Sequence, residues 1–563
     1  MQVGTRAILL AVATAAVGAA AIGVTTGAAG PSVSFTNVAV ANTKVAGYSR
    51  PNLLSPQLQE IVWAQGSNPV ENPDNGISAY GYDDGAPFVP VAGGAPGALT
   101  LPGAAQPPGQ SEARKTEPDK NTYLVLKGQK GADPNYNYGT HFLYQGHETG
   151  APGYITRINL DADGAHRVTL LATKDTDGSN LPNFDGSTWD PWAQRLLFTA
   201  ELGTSGGVWQ ATLGVPSTAV NLQRFLGRGG FEGIQNDDEG NLYYVEDAGG
   251  SNIVVNGATT RARRPNSFVF RFLPQDPSDL TKGGEIQALQ VLINNQPITF
   301  ADGGTDVNPA PYLALHTYKN PLKTKWITLG TTTPATAAPG PDDNALAKTK
   351  GATPFKRPEN GLFRPGTHFE EFYFDETGDT NNQTPAAATG GFGSILRLTQ
   401  DPKSNDGTIR LFYLGDQTHA GFDNNAWFSD TQIAFVEDAG DLLHSQRNAL
   451  DSAWLFDATV DYSDTSKKPI RFIAQGRDAS ATLDSGISDV YAAQSPPQTF
   501  YNDGDNELTG MHVSDGDPGK DGILGAKDPR PFRREGRWRA FYTQQHGDNV
   551  TYELIASSTR GED

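Results

Sequence analysis

Residues 231–249 read FEGIQNDDEGNLYYVEDAG. An acid (Glu232) opens a short strand, NDDEGN makes the turn, and LYYVE returns as a second strand closing on Asp247 and Gly249. A strand rises about 3.3 Å per residue, so a hairpin of about fifteen residues brings both ends back to one sheet edge. The two acids should therefore lie side by side.

The closing phrase, acid–x–Gly after a run of strand formers, recurs along the chain. Copies are Glu148-Thr149-Gly150, Glu201-Leu202-Gly203, Asp247-Ala248-Gly249, Glu376-Thr377-Gly378 and Asp438-Ala439-Gly440, with Gln545-His546-Gly547 as a sixth. An upstream series of acids next to Gly or Asn accompanies it, at Asp185, Glu232, Glu359, Asp423 and Glu507. Internal repetition at this scale predicts an all-β, six-bladed β-propeller, because four-stranded blades need about 40–50 residues. The copies lie 53, 46, 129, 62 and 107 residues apart. The two long gaps predict insertions near 285–355 and 460–535.

Composition agrees with many short strands. The chain has 563 residues with 64 glycines and 38 prolines, which favour turns over long helices. It has no cysteine, which excludes disulfides, thiolate metal sites and cysteine nucleophiles. The formal charge of −20 argues against nucleic acid or an anionic membrane as partner. Arg6, an apolar stretch over about residues 7–24 and Gly27-Ala28-Ala29 form a secretory signal pattern. The expected organisation is a signal peptide at 1–29, an extended segment at 30–120 with a strand or two near VSFTNVAV, and the propeller at 121–563. A secreted, periplasmic or cell-surface monomer without stable membrane insertion follows.

Carboxylates gathered at one channel mouth repel one another and lose hydration, so a fold that repeats them is expected to hold cations there. Carboxylate oxygens are hard ligands suited to calcium, with iron or another hard cation as alternatives lacking any thiolate. The metal-ligand candidates are Glu148, Glu201, Glu232, Glu359, Asp423 and Glu507. Arg357, two residues before Glu359, offers a planar guanidinium for phosphate. His147 and His546 sit beside strand-end positions, the first as a substrate contact and the second as a proton donor. The DxDG runs at 161–164 and 175–178 resemble calcium loops but fall where hairpin turns belong. Asp503-Gly504-Asp505-Asn506-Glu507 is a metal-loop candidate on alternating acids.

These segments, taken in order over about residues 121–555, resemble the PhoX-type secreted alkaline phosphatases. The carrying stretches are Gly146-His147-Glu148 followed by GYITRINL, WDPWAQRLLFTAE ending at Glu201, GRGGFEG with Glu232, Arg357-Pro358-Glu359, Phe422-Asp423-Asn424, and Phe541-Tyr542-Thr543-Gln544-Gln545-His546-Gly547. The resemblance implies a six-bladed propeller with calcium and iron at the channel mouth, hydrolysing small phosphate monoesters. It implies Glu148, Glu201, Glu232, Glu359 and Asp423 as metal ligands or their supports, and Arg357 as the phosphate contact. The family's metal-binding cysteine corresponds to Ala200. Two other readings of the same residues are a non-catalytic calcium-binding extracellular propeller and a metal-dependent lactonase or esterase.

Overall fold

In the computed structural model, residues 33–43, 51–66, 68–81, 116–148, 152–255, 260–300, 305–381, 383–476, 507–533, 537–545 and 549–557 are described, with short strands at 89–90, 99–101 and 104–106. The expected signal peptide, His546 and positions 503–506 lie outside the described residues. Strand accounts for 43% and helix for 9%, which makes the chain all-β. No helix among the described residues is long and apolar enough to cross a membrane.

The strands form antiparallel meanders. The first runs through Thr122–Val125, His141–Gly146, Ile155–Asn159 and Val168–Ala172, and the second through Ser187–Asp190, Arg195–Ala200, Gly207–Ala211 and Ala219–Asn221. A ten-stranded sheet contains the next two. One begins at Phe231–Asn236 and ends at Gly284–Ile293; the other begins at Gly361–Phe363 and ends at Asp406–Leu414. Leu322–Thr331, from the 285–355 insertion, pairs with both outer strands and welds the two meanders together. The fifth runs from Phe422–Trp427 to Ile470–Ala474, and the last from Glu507–Ser514 to Val550–Ala556.

The six leading strands touch in sequence, and Glu507–Ser514 touches Thr122–Val125 to close the circle. The class is a β-propeller. Its blades pack face to face through aromatic residues: Tyr243 meets Trp326, Phe363 and Phe372 at ring separations of 5.6, 4.8 and 5.6 Å across the third and fourth blades. Such ring pairs add about 0.5–1.5 kcal/mol beyond their burial.

The N-terminal region differs from the draped segment expected at 30–120. Leu58–Ala64 pairs with Val550–Ala556 and supplies the fourth strand of the last blade. The stretch around VSFTNVAV forms no strand; Val38 N–H simply donates to the Arg471 carbonyl at 2.8 Å. The 285–355 insertion holds two helices, Ala310–Leu315 and Asp343–Lys350. The second is fixed by its ends: Asp342 accepts from Ala345 N–H, and Gly351 closes it in the left-handed region at φ 76°. Both DxDG runs are turns, with Asp163 capping Gly164–His166 and Asp177 bonding Ser179.

An outer strand taken from the far end of the chain closes the ring, so its loss leaves a long unpaired edge. Deleting residues 51–64 is expected to lower the thermal unfolding midpoint by at least about 5 °C and to promote aggregation. A midpoint equal to that of the full chain would contradict this closure.

Candidate metal centre

One hydrogen bond repeats from blade to blade and positions the acids. The N–H of Glu148, Asp247, Thr377 and Asp438, just past the second strand of its blade, donates to the carbonyl of Glu117, Gly230, Arg357 and Gly421 respectively, at 2.7–2.9 Å. Two residues after each acceptor comes an acid: Asp119, Glu232, Glu359 and Asp423. At Glu232 and Asp423 the ladder register shifts within the bulged leading strand. A bulge turns a residue out of the pleat, here toward the axis. Glu359 is set differently, with its N–H and that of Asn360 both held by Asp375 Oδ1 at 3.2 and 2.8 Å.

The result is a cavity of about 50 Å³ lined by ten carboxylates and one arginine: Asp119, Glu148, Asp185, Glu201, Glu232, Asp247, Glu359, Asp423, Asp438, Glu507 and Arg357. That volume holds a few water-sized occupants. Three triads offer ligand oxygens within 4.8 Å of one another: Asp119/Glu148/Glu507, Glu148/Asp185/Glu201 and Glu232/Asp247/Glu359. Glu148 belongs to two of them, so two of the triads adjoin.

Burial, and then mutual repulsion, raises the pKa values of these groups and so weakens them as acids. Asp185, Glu201 and Glu232 are pushed well above the carboxylate range, first by desolvation and then by neighbouring carboxylates. Glu359 is raised by desolvation although Arg357 opposes it. Asp119 rises to about 7, by burial and then Asp423; Asp423 rises to about 6, chiefly by burial. Asp185 Oδ1 and Glu359 Oε1 are buried without a hydrogen-bond partner. Desolvated carboxylate oxygens at this density, Asp185 Oδ1 without a hydrogen bond and Glu359 Oε1 with only an ion-pair contact, suit a hard cation.

Two internal cations offset part of the charge. Arg357 clamps Asp247 through Nε (3.0 and 2.7 Å) and Nη2 (2.6 Å), and its Nη2 lies 3.3 Å from Glu359 Oε1. It does so from a left-handed backbone, φ 59°, matching φ 58° at Gly421 in the next blade. Lys120 is buried, donates to the Met511 and Asn425 carbonyls at 3.0 and 3.3 Å, and is pushed down to about 8 by burial.

All six acids expected as metal ligands line this cavity together with Arg357. His147 does not. Its ring is fully buried, stacked on Tyr154 at 4.0 Å, with Nδ1 and Nε2 engaged by Thr116 and Thr156. Burial pushes it down to about 3, which leaves a neutral packing residue rather than a phosphate contact. Glu376, read as a copy of the strand-end acid, also turns away: it bonds His316 at 2.8 Å and receives the Lys356 N–H at 2.9 Å, while Thr377 takes the position next to the axis. Ala200 is buried in the apolar cluster of the first two blades, so the donors here are oxygens.

Four further cavity acids extend the expected set. Asp247 and Asp438 are strand-end acids of the repeated phrase, and Asp185 belongs to the upstream series. Asp119 carried no repeat signature; an acid three residues before the strand TYLV was its one signal.

The family model described as "Alkaline phosphatase PhoX" matches residues 252–466, which contain Arg357, Glu359, Asp423 and Asp438. The PhoX resemblance read from the motifs thus stands over that stretch. No curated protein matches. Among solved structures, the WD40 domain of Toxoplasma gondii coronin is similar at 8% identity and a TM-score of 0.32, over 92% of this chain and 91% of that one.

A carboxyl group whose folded pKa is raised stabilises the fold below its unfolded value and loses that contribution as pH climbs through the folded value. The metal-stripped protein is therefore expected to lose stability on the order of a few kcal/mol between about pH 4 and pH 8. Millimolar calcium at pH 8 should restore it by occupying the site. Melting curves after EDTA treatment at pH 5, 6.5 and 8, with and without calcium, test this; a midpoint indifferent to both pH and calcium would contradict it.

Proposed function

We propose that the chain is a secreted, metal-dependent phosphatase acting on small phosphate monoesters. The observation that carries this reading is the convergence of ten carboxylates and Arg357 at one channel mouth, inside and beside the stretch that matches the phosphatase family. An acidic cavity of this kind repels a phosphate ester until cations reverse its field.

The three triads would hold those cations, with calcium the natural occupant of all-oxygen sites and ferric iron an alternative. When bound, such cations polarise phosphoryl oxygens and acidify water. The chain's own residues do the rest. Glu148, shared by two triads, would serve both of the adjoining sites. Glu359 and Asp247, both gripped by Arg357, hold the third triad at a fixed distance from the guanidinium. The expected proton donor His546 remains a proposal of the sequence, one residue beyond Gln545, whose amide donates to Asp119 at 3.0 Å.

Hydrolysis of para-nitrophenyl phosphate should be abolished by EDTA and restored by calcium, alone or with iron. Glu359→Gln should reduce kcat/KM on the order of 10²-fold, the scale of removing one electrostatic element from such a site. Calcium binding without turnover of phosphate esters would favour a non-catalytic propeller, and turnover of a lactone in place of a phosphate ester would favour the lactonase reading.

A further inference from the structure

Arg357 is already spent on carboxylates: three of its contacts go to Asp247 and one to Glu359. A second guanidinium sits beside it. Arg263 ends the hairpin strand Thr260–Arg263, opposite Asn252 in the pairing strand Asn252–Val255. Its main-chain N–H is held by Asp379 Oδ1 at 2.9 Å. Asp379 is buried and anchored in turn by Thr384 Oγ1 at 2.6 Å and by Lys356 Nζ at 3.4 Å, the residue before Arg357.

The side chain passes over Gly249, two residues after Asp247. A Cβ on Gly249 would lie 2.8 Å from Arg263 Nη1 and 3.9 Å from Arg357 Cδ, so the glycine keeps open the space that both arginine side chains share. Asp247, Glu359 and Asp379 all act on the Arg263 charge, as does Arg357. Yet no hydrogen bond or ion pair joins its guanidinium to another described residue. Two adjacent cations repel unless an anion lies between them or carboxylates separate them. Arg357 is bonded to its carboxylates; the Arg263 guanidinium feels Asp247, Glu359 and Asp379 without a direct bond to any of them.

Resting on the phosphatase reading above, we infer that Arg263 is the substrate-binding guanidinium of this site. It would donate to the non-bridging oxygens of a dianionic phosphoryl group while Arg357 chiefly organises the Glu232/Asp247/Glu359 triad. A planar, permanently charged fork matches phosphate oxygens in pairs. Its charge favours a monoester dianion over a diester monoanion, so Arg263 sets the preference for monoesters.

The test uses the full-length, calcium-loaded protein with para-nitrophenyl phosphate, bis(para-nitrophenyl) phosphate and inorganic phosphate as probes. Arg263→Ala is expected to weaken phosphate inhibition and raise the monoester KM by roughly 10–100-fold, the range for a charge-assisted contact. The monoester-to-diester preference should fall with it, while the melting midpoint and calcium content stay unchanged. Arg263→Lys should recover part of the loss. Gly249→Ala, which places a methyl group where the guanidinium lies, should reproduce the Arg263→Ala profile without removing any charge. A wild-type protein that turns over the monoester beside an Arg263→Ala variant with unchanged phosphate affinity and selectivity would overturn the assignment alone. A calcium-loaded wild type that neither binds phosphate nor hydrolyses the monoester would overturn the phosphatase reading and this inference together.

Discussion

Ten carboxylates drawn into one small cavity repel one another, and the rest of the molecule is organised around tolerating that. Water is the usual remedy for clustered negative charge, but several of these groups, Asp185, Glu232, Glu359 and Asp423 among them, are almost wholly buried. The fold holds them by its backbone. A hydrogen bond from each strand end to the residue two before an acid recurs in four blades, and the blades themselves are locked by aromatic cores far larger than the cavity. The electrostatic cost is local, whereas the packing that opposes it is spread over the whole ring. Cations are the remaining stabiliser that such a site invites.

The ring is not symmetric, and the departures fall on the fourth and sixth blades. Blades one, two, three and five offer a strand-end acid at the cavity. In the fourth, Thr377 stands there and Arg357 fills a position that is glycine in its neighbours. In the sixth, Gln545 supports Asp119 with an amide instead of adding a charge. The cavity lining thus carries one guanidinium, that of Arg357, set directly against the Glu232/Asp247/Glu359 triad. A site of uniform sign could hold metals but could not orient a phosphate.

Much of this was legible in the residues. The repeated acid–x–Gly phrase carried the propeller, because period-two strands separated by turn residues leave few other ways to bury their apolar faces. The two acid series carried most of the cavity, since hairpin length alone returns both ends to one edge. Where the reading failed, three-dimensional packing had reassigned a residue of the right type. His147 neighbours a cavity acid in sequence, but successive residues of extended chain face opposite ways, and its ring went into the core against Tyr154. Glu376 fits the phrase by spelling, yet the hydrogen-bond register puts Thr377 in the structural place and gives Glu376 to His316.

The sequence by itself determined the fold class, the oxygen-only chemistry of a chain without cysteine, and the gathering of Glu148, Glu201, Glu232, Glu359, Asp423 and Glu507, because strand period, turn chemistry and residue type are local properties. Tertiary structure alone decided three things: that Leu58–Ala64 closes the last blade, that Arg357 is bound to carboxylates, and that Arg263 arrives beside it from another hairpin. Each joins segments tens to hundreds of residues apart, and such pairings follow from the closure of the ring, which no local pattern encodes.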